Sequence, residues 1–268
     1  MLPDAGLDDV ETALLAISSI QARLTDAVAR AVDEVVDPIR SARWQIDQLD
    51  QPEKTVIGIR VENILRMEFE FARPAKLDLE IAGQNVDVKF TVRDNWCIPP
   101  EAIDEICLLT RYQPSDNLIW VGLLRTTRAV LQGGKGNRDG KRGVNSAGKK
   151  QIRWLVQGSH SSTAMVTFMA SLLPAIRIQI TDPSVGAQAR LNRLFSSLKG
   201  QPIPETVVEA IAQHKDWTRR LRPDVTNRGA PGSGLGFDVL RYSSPKDRKA
   251  LAKANIQLSP GFCTSVNA

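Results

Sequence analysis

The stretch KLDLEIAGQNVDVKF, residues 76–90, groups charged side chains in a way that could do chemistry. Apolar and charged residues alternate on both sides of AGQN, which predicts two half-buried strands joined by a turn. Pairing Ile81 with Val86 would set Glu80 opposite Asp87 and Asp78 opposite Lys89. One face of this hairpin would then carry four charged side chains: Asp78, Glu80, Asp87 and Lys89.

Two explanations account for such a face. It could be a solvated sheet surface with cross-strand ion pairs, a common pattern in strands. It could instead be a divalent-metal site, because clustered carboxylates repel one another unless a hard cation such as Mg²⁺ lies between them. The hairpin alone leaves both explanations open.

Other reactive residue types are scarce. The chain has only two histidines, His160 and His214, which disfavours histidine-based catalytic triads and histidine-centred metal sites. The three cysteines lack paired spacing, so neither a disulfide framework nor a zinc site is predicted: Cys97, Cys107 and Cys263.

Charge is unevenly distributed along the 268 residues. Residues 1–124 hold 22 acidic and 12 basic side chains, a net charge of −10, whereas residues 125–268 hold 8 and 23, a net charge of +15. The second half is therefore expected to meet a polyanion, although a basic surface that only maintains solubility would have the same composition.

A glycine-rich basic segment lies between residues 135 and 153. Its donors suit phosphates and base edges, although a disordered solvated loop is the alternative. The glycines do not have the spacing of a nucleotide-binding loop, which excludes an ATPase of that kind. The predicted DNA-binding residues here are Lys135, Asn137, Arg138, Lys141, Arg142, Lys149 and Lys150.

The hairpin must be positioned by neighbouring elements in a first domain, residues 1–160. Helical periodicity predicts one amphipathic helix over residues 8–36 and a second from residue 52. The second helix should bury a stripe with Glu62 beside it: Ile57, Val61, Ile64 and Leu65. Buried strands follow the hairpin, so we expect an α/β domain with a mixed sheet flanked by helices.

Residues 161–268 form a second, mainly helical domain in this interpretation. One helix should end at Gly200 and another should begin at Pro204, with a strand at GFDVLRY. The pattern resembles a winged helix-turn-helix, although a helical protein-interaction domain is the alternative. Its basic element would supply four more DNA-binding residues: Lys215, Arg219, Arg220 and Arg222.

No membrane segment is predicted. The N-terminus is acidic and lacks the apolar core of a signal peptide. The apolar stretch AMVTFMASLLPAIRIQI is interrupted by Pro174 and Arg177, so we expect it to be buried within a cytoplasmic protein.

Five blocks together resemble the NaeI restriction endonuclease family. In chain order they are RWQIDQLDQPEKTVIGIRVENILRMEFEF, LDLEIAGQNVDVKF, IPPEAIDEICL, NRDGKR and QARLNRLF. They are in register over nearly the whole chain, including the spacing from Glu62 to Lys89.

The resemblance implies a type II restriction endonuclease of the PD-(D/E)XK fold with a C-terminal winged helix-turn-helix domain. It implies a homodimer that uses Mg²⁺, binds double-stranded DNA and cuts within GCCGGC, and a second copy of the site is expected to activate cleavage. The family's catalytic residues correspond to Glu62, Asp78, Asp87 and Lys89, with the three carboxylates as metal ligands. The chain departs from the family pattern at Leu77, which replaces a proline, and at RGAPGSGLG.

Two other functions are compatible with these residues. One is a mismatch- or structure-directed nickase on the same catalytic fold. The other is a non-catalytic DNA-binding regulator with a decayed nuclease domain, against which the intact Asp78, Asp87 and Lys89 argue. The recognition sequence does not follow from the residues, because a single substitution at a base-reading position can change it.

Overall fold

A computed structural model of the chain describes residues 4–221 and 237–267. The chain forms two compact units, Met1–Val35 with Leu49–Ser161 and Val36–Gln48 with Ser162–Ala268. Residues 36–48 therefore group with the second unit, although they lie within the range 1–160 assigned to the first domain. The functional assignment of the two domains stays a prediction.

Helices α1 (Ala5–Leu15), α2 (Ile20–Val36) and α4 (Gln51–Glu68) precede the main sheet, and the short helix α3 (Pro38–Ser41) belongs to the second unit. The prediction of one continuous helix over residues 8–36 is wrong. The helix is interrupted between α1 and α2, where Ser19 adopts a left-handed conformation with φ of 54°. No glycine or proline marks this break, so periodicity alone could not locate it.

Helix α4 begins with a capping box. The Asp50 carboxylate accepts a hydrogen bond from the Glu53 backbone N–H at 3.0 Å, and the Glu53 carboxylate accepts one from the Asp50 N–H at 2.9 Å. The helix packs against strand β2 (Gln84–Thr91). A Cβ atom added to Gly58 would lie 3.6 Å from the Cβ of Phe90, which is ordinary van der Waals contact. Its buried residues confirm the predicted stripe: Ile57, Val61, Ile64 and Leu65.

The main sheet of the first unit has five strands in the order β1-β2-β4-β5-β7. Their bounds are β1 (Leu79–Ile81), β2 (Gln84–Thr91), β4 (Ile106–Gln113), β5 (Leu118–Arg125) and β7 (Arg153–Ser159). Strands β2 and β4 are parallel and the other pairs are antiparallel, so the sheet is mixed as predicted. A separate ribbon joins β3 (Cys97–Ile98) to β6 (Arg142–Gly143), and the short helix α5 (Ser146–Lys149) follows it.

The register of the β1–β2 hairpin differs from the predicted one. Ile81 pairs with Gln84 and Leu79 with Val86, which leaves the two-residue turn Ala82–Gly83. Both turn residues have positive φ, 50° and 73°, as the tight turns of twisted hairpins require. The shift is two residues, so the charged side chains keep their common face.

The second unit combines helices with a three-stranded antiparallel sheet of order β8-β10-β9. Besides α3, its described helices are α6 (Met165–Ser171), α7 (Pro174–Thr181), α8 (Ala187–Ser197), α9 (Glu205–Ala212) and α10 (Pro245–Lys253). Its strands are β8 (Ile203–Pro204), β9 (Phe237–Arg241) and β10 (Phe262–Asn267).

The long apolar stretch of the second unit is split by Pro174, which begins α7. Its burial is only partial, because Leu173 and Ile178 are exposed. In the described ranges, no helix has the length and apolar character that crossing a bilayer requires.

The capping box generates a stability prediction. Asp50→Ala should lower the free energy of unfolding of the first unit by about 1 kcal/mol, because the Glu53 N–H loses its acceptor. Asp50→Asn, which keeps a capping oxygen, is the matched control and should stay close to wild type. Urea titrations of both variants would measure this, and equal loss in both would contradict a role for the cap.

Candidate active site

A buried ion pair lies in the middle of β2. Asp87 is 4% exposed, and its Oδ2 lies 2.7 Å from Nζ of Lys89. The two residues are two positions apart on one strand, so both side chains point to the same face of the sheet. A carboxylate this deeply buried requires a paired charge. Lys89 provides that charge.

A second carboxylate, Asp78, lies beside this pair just before β1. Its Oδ2 accepts a hydrogen bond from the Val88 N–H at 2.8 Å and lies 4.0 Å from Lys89 Nζ. The structure thus brings together three of the four charged residues that the hairpin pattern predicted. Lys89 bridges the two aspartates.

Asp87 has an unusual proton affinity. Burial raises its pKa from 3.8 to about 6, with Asp78 adding to the rise, while the attraction and hydrogen bond of Lys89 oppose it. Between about pH 4 and 6 the folded protein therefore holds a proton that the unfolded chain releases. The contribution of Asp87 to stability is full below pH 4 and is lost as the pH rises through 6.

The thiol of Cys107 on β4 also contacts Asp87, with Sγ 3.7 Å from Oδ2. Burial raises the pKa of this thiol, and the Asp87 charge adds to the effect. Cys107 is consequently a neutral donor to the carboxylate. Sequence spacing could not reveal this contact, because it depends on the parallel pairing of β2 with β4.

Glu62 projects from α4 toward the same group of charges. Burial raises the pKa of its carboxyl, repulsion from Asp78 raises it further, and Arg66, Arg73 and Lys89 lower it. Nη1 of Arg66 lies 3.4 Å from Oε1 of Glu62. Arg66 could have been found from its i+4 spacing on the helix. Arg73 lies beyond the end of α4, so helical spacing could not have indicated it.

Glu80 keeps its place on the charged face of the hairpin but lies outside the buried Asp87–Lys89 pair. It is exposed and lies opposite Asn85, not opposite Asp87 as the predicted register had it. Its backbone N–H donates to the Ala72 carbonyl at 2.9 Å.

The site has oxygen ligands for a hard cation but is not arranged as a formed metal centre. Among the described residues, no three His, Cys, Asp or Glu side chains meet in a metal-binding arrangement. Lys89 Nζ instead lies 2.7 Å from Asp87 Oδ2, 3.1 Å from the Val88 carbonyl and 4.0 Å from Asp78 Oδ2. The ammonium lies among these oxygens, and carboxylate and carbonyl oxygens are the kind of ligand that Mg²⁺ prefers.

The basic segment forms a defined loop at the end of the β3–β6 ribbon. Asn137, predicted to contact DNA, organises the turn: its side-chain oxygen accepts from the N–H groups of Asp139 and Lys141 at 3.0 and 2.9 Å. Arg142 donates to the Gln132 carbonyl at 3.1 Å. The remaining predicted cations of the segment are exposed: Lys135, Arg138, Lys141, Lys149 and Lys150.

This loop rests on the face of the sheet that carries Lys89. Lys89 pairs with Leu109 on β4, so both side chains point the same way. Leu109 packs in a hydrophobic cluster with Leu131 and Val144, which flank the loop. The cations and the carboxylates therefore share one side of the first unit.

The basic residues of the second unit lie around a short 3₁₀ helix, Trp217–Leu221. Lys215 and Arg219 are exposed, and Arg220 is half-buried. Arg222 lies outside the described residues.

The ion pair leads to a prediction about the pKa of Asp87. In metal-free protein, Asp87 should titrate near pH 6. Lys89→Met should raise its pKa because a nearby positive charge is lost, and Asp78→Asn should lower it because a negative charge is lost. Carbon-13 NMR of labelled aspartates would measure both shifts. An Asp87 that titrates near pH 4 in all three proteins would contradict the buried pair.

Two comparisons connect this geometry to known proteins. The family model described as restriction endonuclease NaeI matches residues 9–249. The chain is also 31% identical over 244 residues to the type II restriction enzyme NaeI of Lentzea aerocolonigenes, covering 89% of this chain and 73% of that protein. The range matched by the family model contains parts of both units and the positions of the candidate site. The chain therefore belongs to the NaeI restriction endonuclease family, whose members are site-specific deoxyribonucleases.

Proposed function

We propose that this protein makes Mg²⁺-dependent double-strand breaks at a short palindromic DNA site, with Asp78, Asp87 and Lys89 at the centre of its chemistry. The observation that carries the proposal is the buried Asp87–Lys89 contact of 2.7 Å with Asp78 beside it. Burying an ion pair brings little stability in general, so its place beside further carboxylates favours a catalytic role.

The carboxylates of Asp78 and Asp87 and the Val88 carbonyl would hold the metal, with Glu62 as a further carboxylate. Bound Mg²⁺ would neutralise charge on the scissile phosphate and lower the pKa of a water molecule. Lys89 would orient that water and offset charge that develops on the phosphate. Asp87 is mostly ionised above pH 6, so the site should lose activity as acid protonates it.

Double-stranded DNA would lie across the face that carries both the carboxylates and the basic loop. The exposed side chains of Lys135, Arg138 and Lys141 suit phosphate oxygens. Arg142 retains guanidinium donors beyond the one that binds Gln132, and these suit base edges.

We further propose that the protein acts as a homodimer on a GCCGGC-like site. The described residues of one chain contain one group of candidate catalytic carboxylates, whereas a double-strand break requires two hydrolyses on antiparallel strands. A two-fold symmetric dimer matches the symmetry of a palindrome.

The second unit is proposed to be a winged helix-turn-helix that binds another copy of the site. Two helices, α8 and α9, flank β8, and the sheet order β8-β10-β9 places the last strand between the other two. Arg219 and Arg220 follow α9, where a recognition element would begin. Binding there would activate cleavage only if the effector DNA favours the active arrangement.

The catalytic assignment is tested by substituting the three central residues one at a time. Asp78→Asn, Asp87→Asn and Lys89→Ala should each slow cleavage by about 10²-fold or more, because each removes a metal ligand or a transition-state charge. DNA affinity in Ca²⁺ should persist. Glu80→Gln changes an exposed carboxylate of the same hairpin and should cut normally. Normal cutting by Asp87→Asn would refute the site.

The loop assignment is tested by the salt dependence of binding. Changing Lys135, Arg138 and Lys141 to Ala should lower the log–log slope of affinity against salt by about 0.9 for each lost phosphate contact. Arg30 and Arg60 are paired with Glu68 and Glu34, and their Ala variants serve as controls. An unchanged slope in the triple variant would show that the loop does not contact phosphates.

Activation by a second site is tested with plasmids. At equal site concentration, a two-site plasmid should be cut faster than a one-site plasmid, and a short duplex carrying the site should rescue the slow substrate. Changing Arg219 and Arg220 to Ala should abolish the difference. Equal rates on both plasmids, with no effect of added duplex, would argue against an effector site.

A further inference from the structure

We propose that Asn95, Trp96 and Thr110 form a hydrogen-bonded connection that couples the basic loop to Lys89, with Thr110 as a positioning residue for cleavage. The inference rests on the proposed function, because it takes Lys89 as catalytic and the loop as the DNA contact. It concerns three residues that do not belong to the charged group of the site.

The connection begins at the backbone of Lys89. Oγ1 of Thr110 donates to the Lys89 carbonyl at 3.1 Å, and Thr110 is fully buried on β4. The side chain of Lys89 folds back over the preceding carbonyl of Val88 at 3.1 Å. The Lys89 side chain extends from this stretch of β2, and Thr110 restrains that backbone from the neighbouring strand.

Trp96 is the next residue in the connection and bonds to Thr110 on β4. Its Nε1 donates to the Thr110 carbonyl at 2.8 Å, and the residue is 3% exposed. Its ring lies 6.3 Å from that of Trp154, centroid to centroid, within the cluster beneath the basic loop. A buried indole whose only N–H is used in this way is held firmly.

Asn95 joins Trp96 to the base of the loop. Its side-chain oxygen accepts from the Trp96 N–H at 2.9 Å and from the Val144 N–H at 2.8 Å. The fit is tight next to Val144, since a Cβ on Gly143 would lie 2.9 Å from Nδ2 of Asn95. Gly143 also accepts from the Gln132 N–H at 2.8 Å across the loop.

These contacts form an unbroken path from the loop to the catalytic strand. A close-packed interior does not absorb a displacement gradually, so moving the base of the loop must shift Asn95 and Trp96 or break their hydrogen bonds. Correct DNA contacts in the loop would hold Lys89 in its productive position, whereas a wrong sequence would leave it less well held. Thr110 would then contribute to sequence discrimination without touching DNA.

The test uses Thr110→Val, which removes the hydroxyl at nearly constant volume, and Thr110→Ser, which restores it. Single-turnover cleavage at saturating protein would be measured on duplexes with the target site, identified from wild-type cut ends, and with one altered base pair. Thr110→Val should slow target cleavage about fivefold, as expected for one lost hydrogen bond, while affinity in Ca²⁺ and the rate on the altered duplex change little. Thr110→Ser should recover the target rate.

A matched control separates positioning from stability. Thr25→Val removes another buried threonine hydroxyl, which bonds the Gln21 carbonyl at 2.7 Å within α2, and it should leave the ratio of target to altered rates unchanged. Two results together would overturn the coupling but leave the proposed function intact. Thr110→Val would show the wild-type ratio of target to altered cleavage rates, and Lys89→Ala would be inactive. Normal cleavage by Lys89→Ala would instead overturn the proposed function itself.

Discussion

The burial of the Asp87 carboxylate is the constraint on which the site depends. A charge at this position on a central sheet is tolerated only because Lys89 follows two residues later and points to the same face. Burial disfavours the charged form of the carboxylate, which raises the pKa of Asp87. Removing either partner would leave the other charge poorly compensated, which ties the architecture of β2 to its chemistry.

The surrounding elements meet this constraint from three directions. The Ala82–Gly83 turn returns the chain so that Asp78 reaches the Val88 N–H, and α4 brings Glu62 against the same charges. From β4, Cys107 contributes a neutral donor to Asp87. Elements far apart in sequence thus place side chains around the same short part of β2. The three acidic side chains would repel one another without Lys89 or a metal cation between them.

Local patterns in the sequence predicted much of this arrangement. Helical periodicity gave the buried stripe of α4, and alternation along the hairpin gave the charged face. The register was wrong because AGQN allows turns of two or four residues, and only the two-residue turn matches the positive φ values of Ala82 and Gly83. The common face survived because an even shift preserves side-chain alternation.

What the sequence could not provide are contacts created by the parallel crossover from β2 to β4. The approach of Cys107 to Asp87 and the bond from Thr110 to the Lys89 carbonyl have no signature in spacing. The grouping of residues 36–48 with the second unit is likewise a long-range effect. The hydrogen bonds by which the Asn137 side-chain oxygen organises the basic loop were not predicted either, and its contact with DNA stays a prediction.

We propose that the oxygens around the Lys89 ammonium are the ones that bind the catalytic metal. The most direct measurement is a crystal structure of the protein with cognate duplex and Mn²⁺, with the metal located by its anomalous scattering. We expect a metal peak within coordination distance of carboxylate oxygens of both Asp78 and Asp87, with Lys89 Nζ displaced toward the phosphate. A metal bound elsewhere, with the 2.7 Å Asp87–Lys89 contact intact, would contradict it.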